Sequence, residues 1–149
     1  MADIRQQLAE HRVIGLDTSI FIYHIEATPK YQPLTTAILN GVQVGQYTAT
    51  ISTVALMELT VHPWRVNRAD VAREYEVMLL NFPNLGLADV SREVARKAAQ
   101  LRAVHNLGPA DALLVGSALV NNATVWVSND KRLRKISSII DVIILDDFV

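Results

Sequence analysis

Five short apolar runs, separated by stretches with helical spacing, leave this chain few ways to fold. The runs are Val13–Leu16, Tyr47–Ser52, Leu85–Leu87, Thr124–Val127 and Val142–Leu145. They are apolar or β-branched along their length instead of alternating, which marks strands covered on both faces. Between them the sequence predicts helices over Thr18–Glu26, Leu34–Val44, Val54–Val61, Arg68–Phe82, Ser91–Val104 and Pro109–Val120, and a short one over Lys131–Ile136. The spacing i, i+3, i+4 is carried by Val71, Tyr75, Met78 and Leu79 in one of these, and by Val94, Ala98 and Leu101 in another. Prolines punctuate. Pro63 should stop a helix near His62, and Pro109 suits a first helical turn. Strands joined through helices, with right-handed crossovers, give a three-layer α/β/α sandwich around a mainly parallel sheet. The 149 residues suit one domain, 1–149, and half of them are hydrophobic. A domain of that size buries roughly 70% of its unfolded surface, enough for a core without staples.

In parallel sheets of this kind, ligands bind outside the carboxyl ends of the strands. Asp17 leaves the first run at that end and Asp130 leaves the fourth. Glu58 and Asp111 lie in helical stretches that are mostly apolar. Each acid has a structural explanation of its own. Asp17 before Thr18-Ser19 reads as a helix cap, Asp111 as a first-turn acid, Glu58 as the polar side of a helix, and Asp130 as a turn residue. Together they make a set of carboxylates that would raise one another's pKa unless a cation intervened. Oxygen donors of this type suit Mg²⁺ and Mn²⁺. Two such ions about 4 Å apart would activate a water and stabilise the leaving oxygen of a phosphodiester.

The formal net charge of −1 counts against a nonspecific nucleic-acid binder, but two bound divalent ions would turn it to +3. The absence of cysteine excludes disulfides and thiolate zinc sites and is compatible with the cytoplasm. The segment from Met1 to Leu8 lacks the pattern of a signal peptide. No apolar run approaches the roughly 20 residues needed to cross a bilayer. His11, His24, His62 and His105 show no metal spacing. Asp146-Asp147 reads as a solvated end. Phe21, Tyr23 and Trp126 read as core, and Lys131, Arg132, Arg134 and Lys135 as a solvated basic face or a phosphate contact. Gly41 and Gly45 match no phosphate-binding fingerprint.

Four blocks, in this order, resemble the PIN domain, and specifically the small ribonucleases of the VapC toxin type. They are Ile14-Gly15-Leu16-Asp17-Thr18-Ser19, Ser52-Thr53-Val54-Ala55-Leu56-Met57-Glu58, Pro109-Ala110-Asp111-Ala112-Leu113-Leu114 and Val127-Ser128-Asn129-Asp130. The resemblance implies a Mg²⁺- or Mn²⁺-dependent endoribonuclease that leaves 5′-phosphate and 3′-hydroxyl ends. It implies that Asp17, Glu58, Asp111 and Asp130 hold metal and act in catalysis, and that Ser128 meets phosphate or metal-bound water. It also implies an RNA substrate, a cognate antitoxin protein, a homodimer and no membrane. A noncatalytic PIN-like RNA- or protein-binding module and a housekeeping PIN nuclease are the alternatives. A phosphohydrolase with an Asp nucleophile fits less well, because Thr18-Ser19 stand where such enzymes carry Asp-x-Asp. For the dimer, the sequence predicts an exposed apolar patch from Ile20, Phe21, Ile22, Tyr23, Ile25, Leu34, Ile38 and Leu39, more than one helix stripe can bury.

Overall fold

Each apolar run becomes a strand in the computed structural model, which describes residues 3–149. The strands are β1 (Val13–Leu16), β2 (Thr48–Ser52), β3 (Leu85–Ala88), β4 (Val125–Ser128) and β5 (Asp141–Ile144). They form one sheet in the order β3-β2-β1-β4-β5, and every pairing is parallel. All four residues of β4 are buried. Successive strand residues point to opposite faces, so β4 is covered on both, as a three-layer α/β/α sandwich requires. The start of the signal-peptide reading falls on Met1 and Ala2, which lie outside the described residues. No single helix among the described residues is long and apolar enough to cross a membrane.

The helices are α1 (Ile4–Leu8), α2 (Thr18–Ile25), α3 (Gln32–Gln43), α4 (Thr53–Arg65), α5 (Ala69–Asn81), α6 (Arg92–His105) and α7 (Pro109–Val120). Lys131–Ile136 and Leu145–Phe148 are 3-10 turns. Sequence spacing gives no sign of α1, which is too short for periodicity. It holds because Asp3 accepts the Arg5 N–H at 2.9 Å and because Ile4 and Leu8 enter the core.

Two expectations need correction. The helix expected to stop near His62 runs on to Arg65, through Pro63. Pro63 sits in the last turn, where a missing N–H costs one bond and only two helical residues follow. The end carbonyls are met beyond it, since Val66 N–H reaches His62 O at 3.2 Å and Arg68 N–H reaches Pro63 O at 2.8 Å. The apolar patch expected from α2 and α3 does not form as drawn. Ile20, Phe21, Ile38 and Leu39 are core residues. The reason is that α2 packs against α3, α4 and β4, and α3 against α1 as well, so each buries more than one stripe. The large apolar side chains that do face solvent include Met57, Val61 and Trp64 of α4.

Gly15 in β1 lets α7 approach the sheet. A Cβ there would stand 2.7 Å from Ala118 Cβ and 3.0 Å from Trp126 Cε3. This close contact brings the helix that carries Asp111 against the strand that delivers Asp17.

Candidate active site

The chain runs from β1 outward to β2 and β3, then returns to place β4 on the other side of β1. The crevice between β1 and β4 is therefore the topological switch point, where open α/β sheets bind ligands. Asp17 follows β1 and Asp130 follows β4. The two strands are joined there, with Asp17 N–H donating to Val127 O at 2.9 Å.

Asp17 occupies the N-cap position of α2, yet its side chain makes no cap hydrogen bond. Its carboxylate instead accepts the Ser128 O–H at 2.5 Å. Ser128 is fully buried, and its Oγ also accepts the Asp130 N–H at 3.0 Å. Its single proton is committed to Asp17. Ser128, expected to meet phosphate or metal-bound water, is thus placed to fix Asp17 relative to the Asp130 loop. Glu58 reaches toward α2, where its Oε1 accepts the Thr18 O–H at 2.6 Å. Asp111 lies in the first turn of α7. Asp130 starts the 3-10 turn, accepts the Arg132 N–H at 3.0 Å and pairs with the Arg132 guanidinium at 2.6 Å.

The electrostatics tie these acids together. Burial pushes the Asp17 carboxyl from 3.8 to about 6. The hydrogen bond from Ser128 and the nearby Thr18 N–H dipole oppose that rise, and the charges of Asp111 and Glu58 add to it. Asp111 is also raised, by burial and then by the charge of Asp130, with Arg132 and Lys135 opposing. Asp130 is held low, first by its hydrogen bond from Arg132. The four acids therefore share one neighbourhood, but among the described residues no three carboxylate or imidazole groups converge into a ready cation cage. Glu58 is turned to Thr18, and Asp130 to Arg132. In donor type the set fits a hard divalent ion: all oxygen, with one carboxyl, Asp17, whose charged form is disfavoured by its surroundings and would gain from a counter-charge. Among the described residues Glu58 still has its Oε2 free to turn to a cation, whereas both oxygens of Asp130 are engaged by Arg132.

An open cleft of about 520 Å³ lies at this edge, with Asp17, Asp130, Ser19, Tyr23, Asn129, Lys131, Arg132 and Asp146 in its wall. Glu58 and Asp111 are not part of that wall. Sequence reasoning missed several groups here. Asp146, read as a solvated end, accepts the Tyr31 O–H at 2.6 Å and is flanked by Lys30 at 3.7 Å and Lys131 at 3.8 Å. It follows β5 at the same edge, so the strand-exit rule that picks out Asp17 and Asp130 would have found it. Asn129 joins it to the cleft, its Oδ1 accepting the Asp146 N–H at 2.9 Å. Tyr23, read as core, packs against the core's margin and also faces the cleft. It is half-buried in the cleft wall and stacks on Tyr31 with centroids 4.3 Å apart. The basic cluster divides. Lys131 and Arg132 line the cleft, while Arg134 pairs with Asp147 and Lys135 donates to Asn106 O.

Comparison with known proteins bears on this arrangement. The sequence profile of the PIN domain matches residues 14–139. No curated protein sequence matches the chain. Among solved structures, the chain is similar to VapBC2 from Rickettsia felis bound to a promoter DNA fragment, with a TM-score of 0.68 at 20% identity, covering 88% of this chain and 97% of that one. A toxin–antitoxin complex from Klebsiella pneumoniae gives 0.64 at 16% identity, covering 89% and 97%. DNA-bound VapBC from Salmonella typhimurium gives 0.62 at 23%, covering 90% and 98%. At these identities the likeness is one of fold.

Proposed function

The chain belongs to the PIN domain family, and from that premise we propose that it is a Mg²⁺- or Mn²⁺-dependent endoribonuclease and the toxin of a toxin–antitoxin pair. One observation carries the nuclease reading. A half-buried carboxyl, that of Asp17, stands at the sheet's switch point, pushed up to about 6 by desolvation first and then by two further acids, with no salt bridge to it among the described residues. Such a group calls for a cation from outside the chain.

In this reading Asp17, Glu58, Asp111 and Asp130 would hold the metal. Bound there, a divalent ion supplies an activated water and charge relief for the leaving oxygen of the phosphodiester. Ser128 keeps Asp17 and the Asp130 loop in fixed relation. Thr18 ties Glu58 to the start of α2, the helix that Asp17 precedes. The crevice outside β1 and β4 admits the RNA backbone. The toxin reading is supported by the similar structures, which include VapBC assemblies and a toxin–antitoxin complex. It brings with it a cognate antitoxin, a homodimer, a cytoplasmic setting and a single nuclease domain spanning the chain.

A second reading, a noncatalytic RNA- or protein-binding module, draws on the pairing of Asp130 with Arg132 and the lack of a preformed cage. Against it, all four acids are present. A housekeeping nuclease would share the chemistry and differ in partner.

The test is cleavage of single-stranded and structured RNA. Cleavage is expected with Mg²⁺ or Mn²⁺, to stop in EDTA and to be lost in Asp17→Asn and Asp130→Asn. Calorimetric titration of Mn²⁺ should show binding to the wild type that either substitution weakens. Cleavage that survives thorough chelation would remove the metal from the mechanism. Mn²⁺ binding without cleavage of any RNA would favour the noncatalytic module.

A further inference from the structure

We infer that the cleft beside the acids is a nucleoside subsite, in which Tyr23 and Asn129 hold the nucleotide next to the cleaved phosphate and so set base preference; this rests on the ribonuclease reading above. At about 520 Å³ the cleft is of a size that takes a small ligand. Its wall carries hydrogen-bond donors that no acceptor among the described residues takes up. Tyr23 Oη accepts from Asn129 Nδ2 at 3.3 Å, and its own O–H has no acceptor among the described residues. An amide NH₂ has two donors, so Asn129 keeps one N–H in hand. Ser19 Oγ is buried with no partner. Ser19 lies in the first turn of α2, too early for a helical carbonyl four residues back. A change of its χ1 rotamer toward the cleft it lines, with an acceptor there, would satisfy it.

Tyr23 and Asn129 are held in place. The Tyr23 ring stacks on Tyr31, the Tyr31 O–H is tied to Asp146, and the Asp146 N–H is tied to Asn129 Oδ1. Fixed groups lose little freedom on binding, which is what selective recognition needs. Charge decides which part of a nucleotide fits. At this end the charged groups are already paired: Asp146 with Lys30 and Lys131, and Arg132 with Asp130, so no cation among the described residues is left over to hold a phosphate tightly. A base and ribose, uncharged and rich in acceptors, suit this end, with phosphate left to the acid end. Single-stranded RNA is read in this manner, by unstacked bases laid against aromatic side chains and hydrogen-bonded along their edges.

The test titrates the metal-free protein separately with adenosine, cytidine, guanosine and uridine, followed by NMR at the Tyr23 ring and the Asn129 side-chain amide. Saturable shifts at both groups are expected, with one nucleoside preferred. Tyr23→Phe and Ser19→Ala should each weaken that nucleoside roughly two- to tenfold, the range for one lost neutral hydrogen bond. Ser19→Ala should not lower the melting temperature, because its hydroxyl has no partner to lose. The absence of saturable shifts, or shifts unchanged in both variants, overturns the subsite. RNA cleavage with mapped ends separates the two readings. Nucleoside binding at these groups without cleavage upholds the subsite and removes the nuclease. Cleavage whose base preference is unchanged in Tyr23→Phe removes the subsite and leaves the nuclease.

Discussion

At Asp17 the chain keeps a carboxyl that burial, with Asp111 and Glu58 nearby, moves from 3.8 to about 6. The folded protein therefore holds this proton in a window where the unfolded chain has released it. The resulting stability is fully present below about pH 4 and is lost as pH rises through about 6. The loss amounts to roughly 3 kcal/mol at neutral pH without metal. Asp111, also raised, acts in the same direction. Asp130 acts oppositely, since its depressed pKa adds stability that fades only in acid. Comparison with Asp17→Asn isolates the first effect. Urea unfolding in EDTA should show wild-type stability falling between pH 4 and 6 more steeply than that of the variant, and the variant more stable at pH 7. The amide oxygen can still accept from Ser128, so the substitution removes charge and keeps the bond. Equal slopes would mean that Asp17 is not strained by its surroundings. Saturating Mn²⁺ should reverse the ranking at pH 7, stabilising wild type more than Asp17→Asn. The acids themselves were legible because strand exits in a parallel sheet are where ligands bind. The residues that orient them were not. Thr18 meets Glu58 from 40 positions away and Tyr31 meets Asp146 from 115. No local pattern encodes such pairings, which exist only once the sheet is ordered.

The inner strands were readable at the element scale because burial on both faces leaves a continuous apolar run, as in β4, while the edge strands β3 and β5 are only partly buried. Helix ends were less so. Proline forbids a hydrogen bond at its own nitrogen but does not end a helix that has already made its packing contacts, as Pro63 in α4 illustrates. The start of the same helix was misread by one residue because Ser52, the last residue of β2, is also its cap, accepting the Val54 N–H at 3.0 Å. Gly15 carries a further consequence for these elements. Gly15→Ala would press a methyl group onto Ala118 and Trp126, neither of which can swing aside. Overpacking of this kind costs about 1–3 kcal/mol. If relief comes by moving α7 away from β1, Asp111 retreats from Asp17. The expected outcome is a lower melting temperature together with weaker Mn²⁺ binding in calorimetry. Adding Ala118→Gly should restore part of both, less the roughly 1 kcal/mol that glycine costs inside a helix. Stability that recovers while Mn²⁺ affinity stays low would place the metal defect elsewhere than in the β1–α7 spacing.

For the molecule as a whole, the remaining matter is which face meets a partner. Sequence reasoning looked to α2 and α3, but these are clamped between other helices and the sheet. The exposed apolar stripe lies on α4, where Met57, Val61 and Trp64 are spaced by four and three residues and so share one side. Trp64 is 58% exposed, unusual for so large a ring in a chain with this much core to fill. Stripes of this kind mark partner surfaces. Glu58 lies three residues before Val61 on the same helix and so borders the stripe, which puts a partner seated there beside the candidate metal site. A two-fold dimer would place the stripe against its own copy. Light scattering at high micromolar concentration should then return twice the 16.5 kDa of one chain. Trp64→Glu should return the mass of one chain, with unfolding free energy changed by no more than about 0.5 kcal/mol because the ring is at the surface. Wild type that is already monomeric would refute the homodimer and leave this face to a different protein. Wild type and variant that are both dimeric would move the contact off α4. In either case RNA cleavage by Trp64→Glu should match wild type, because the four acids come from one chain and Trp64 is a surface side chain.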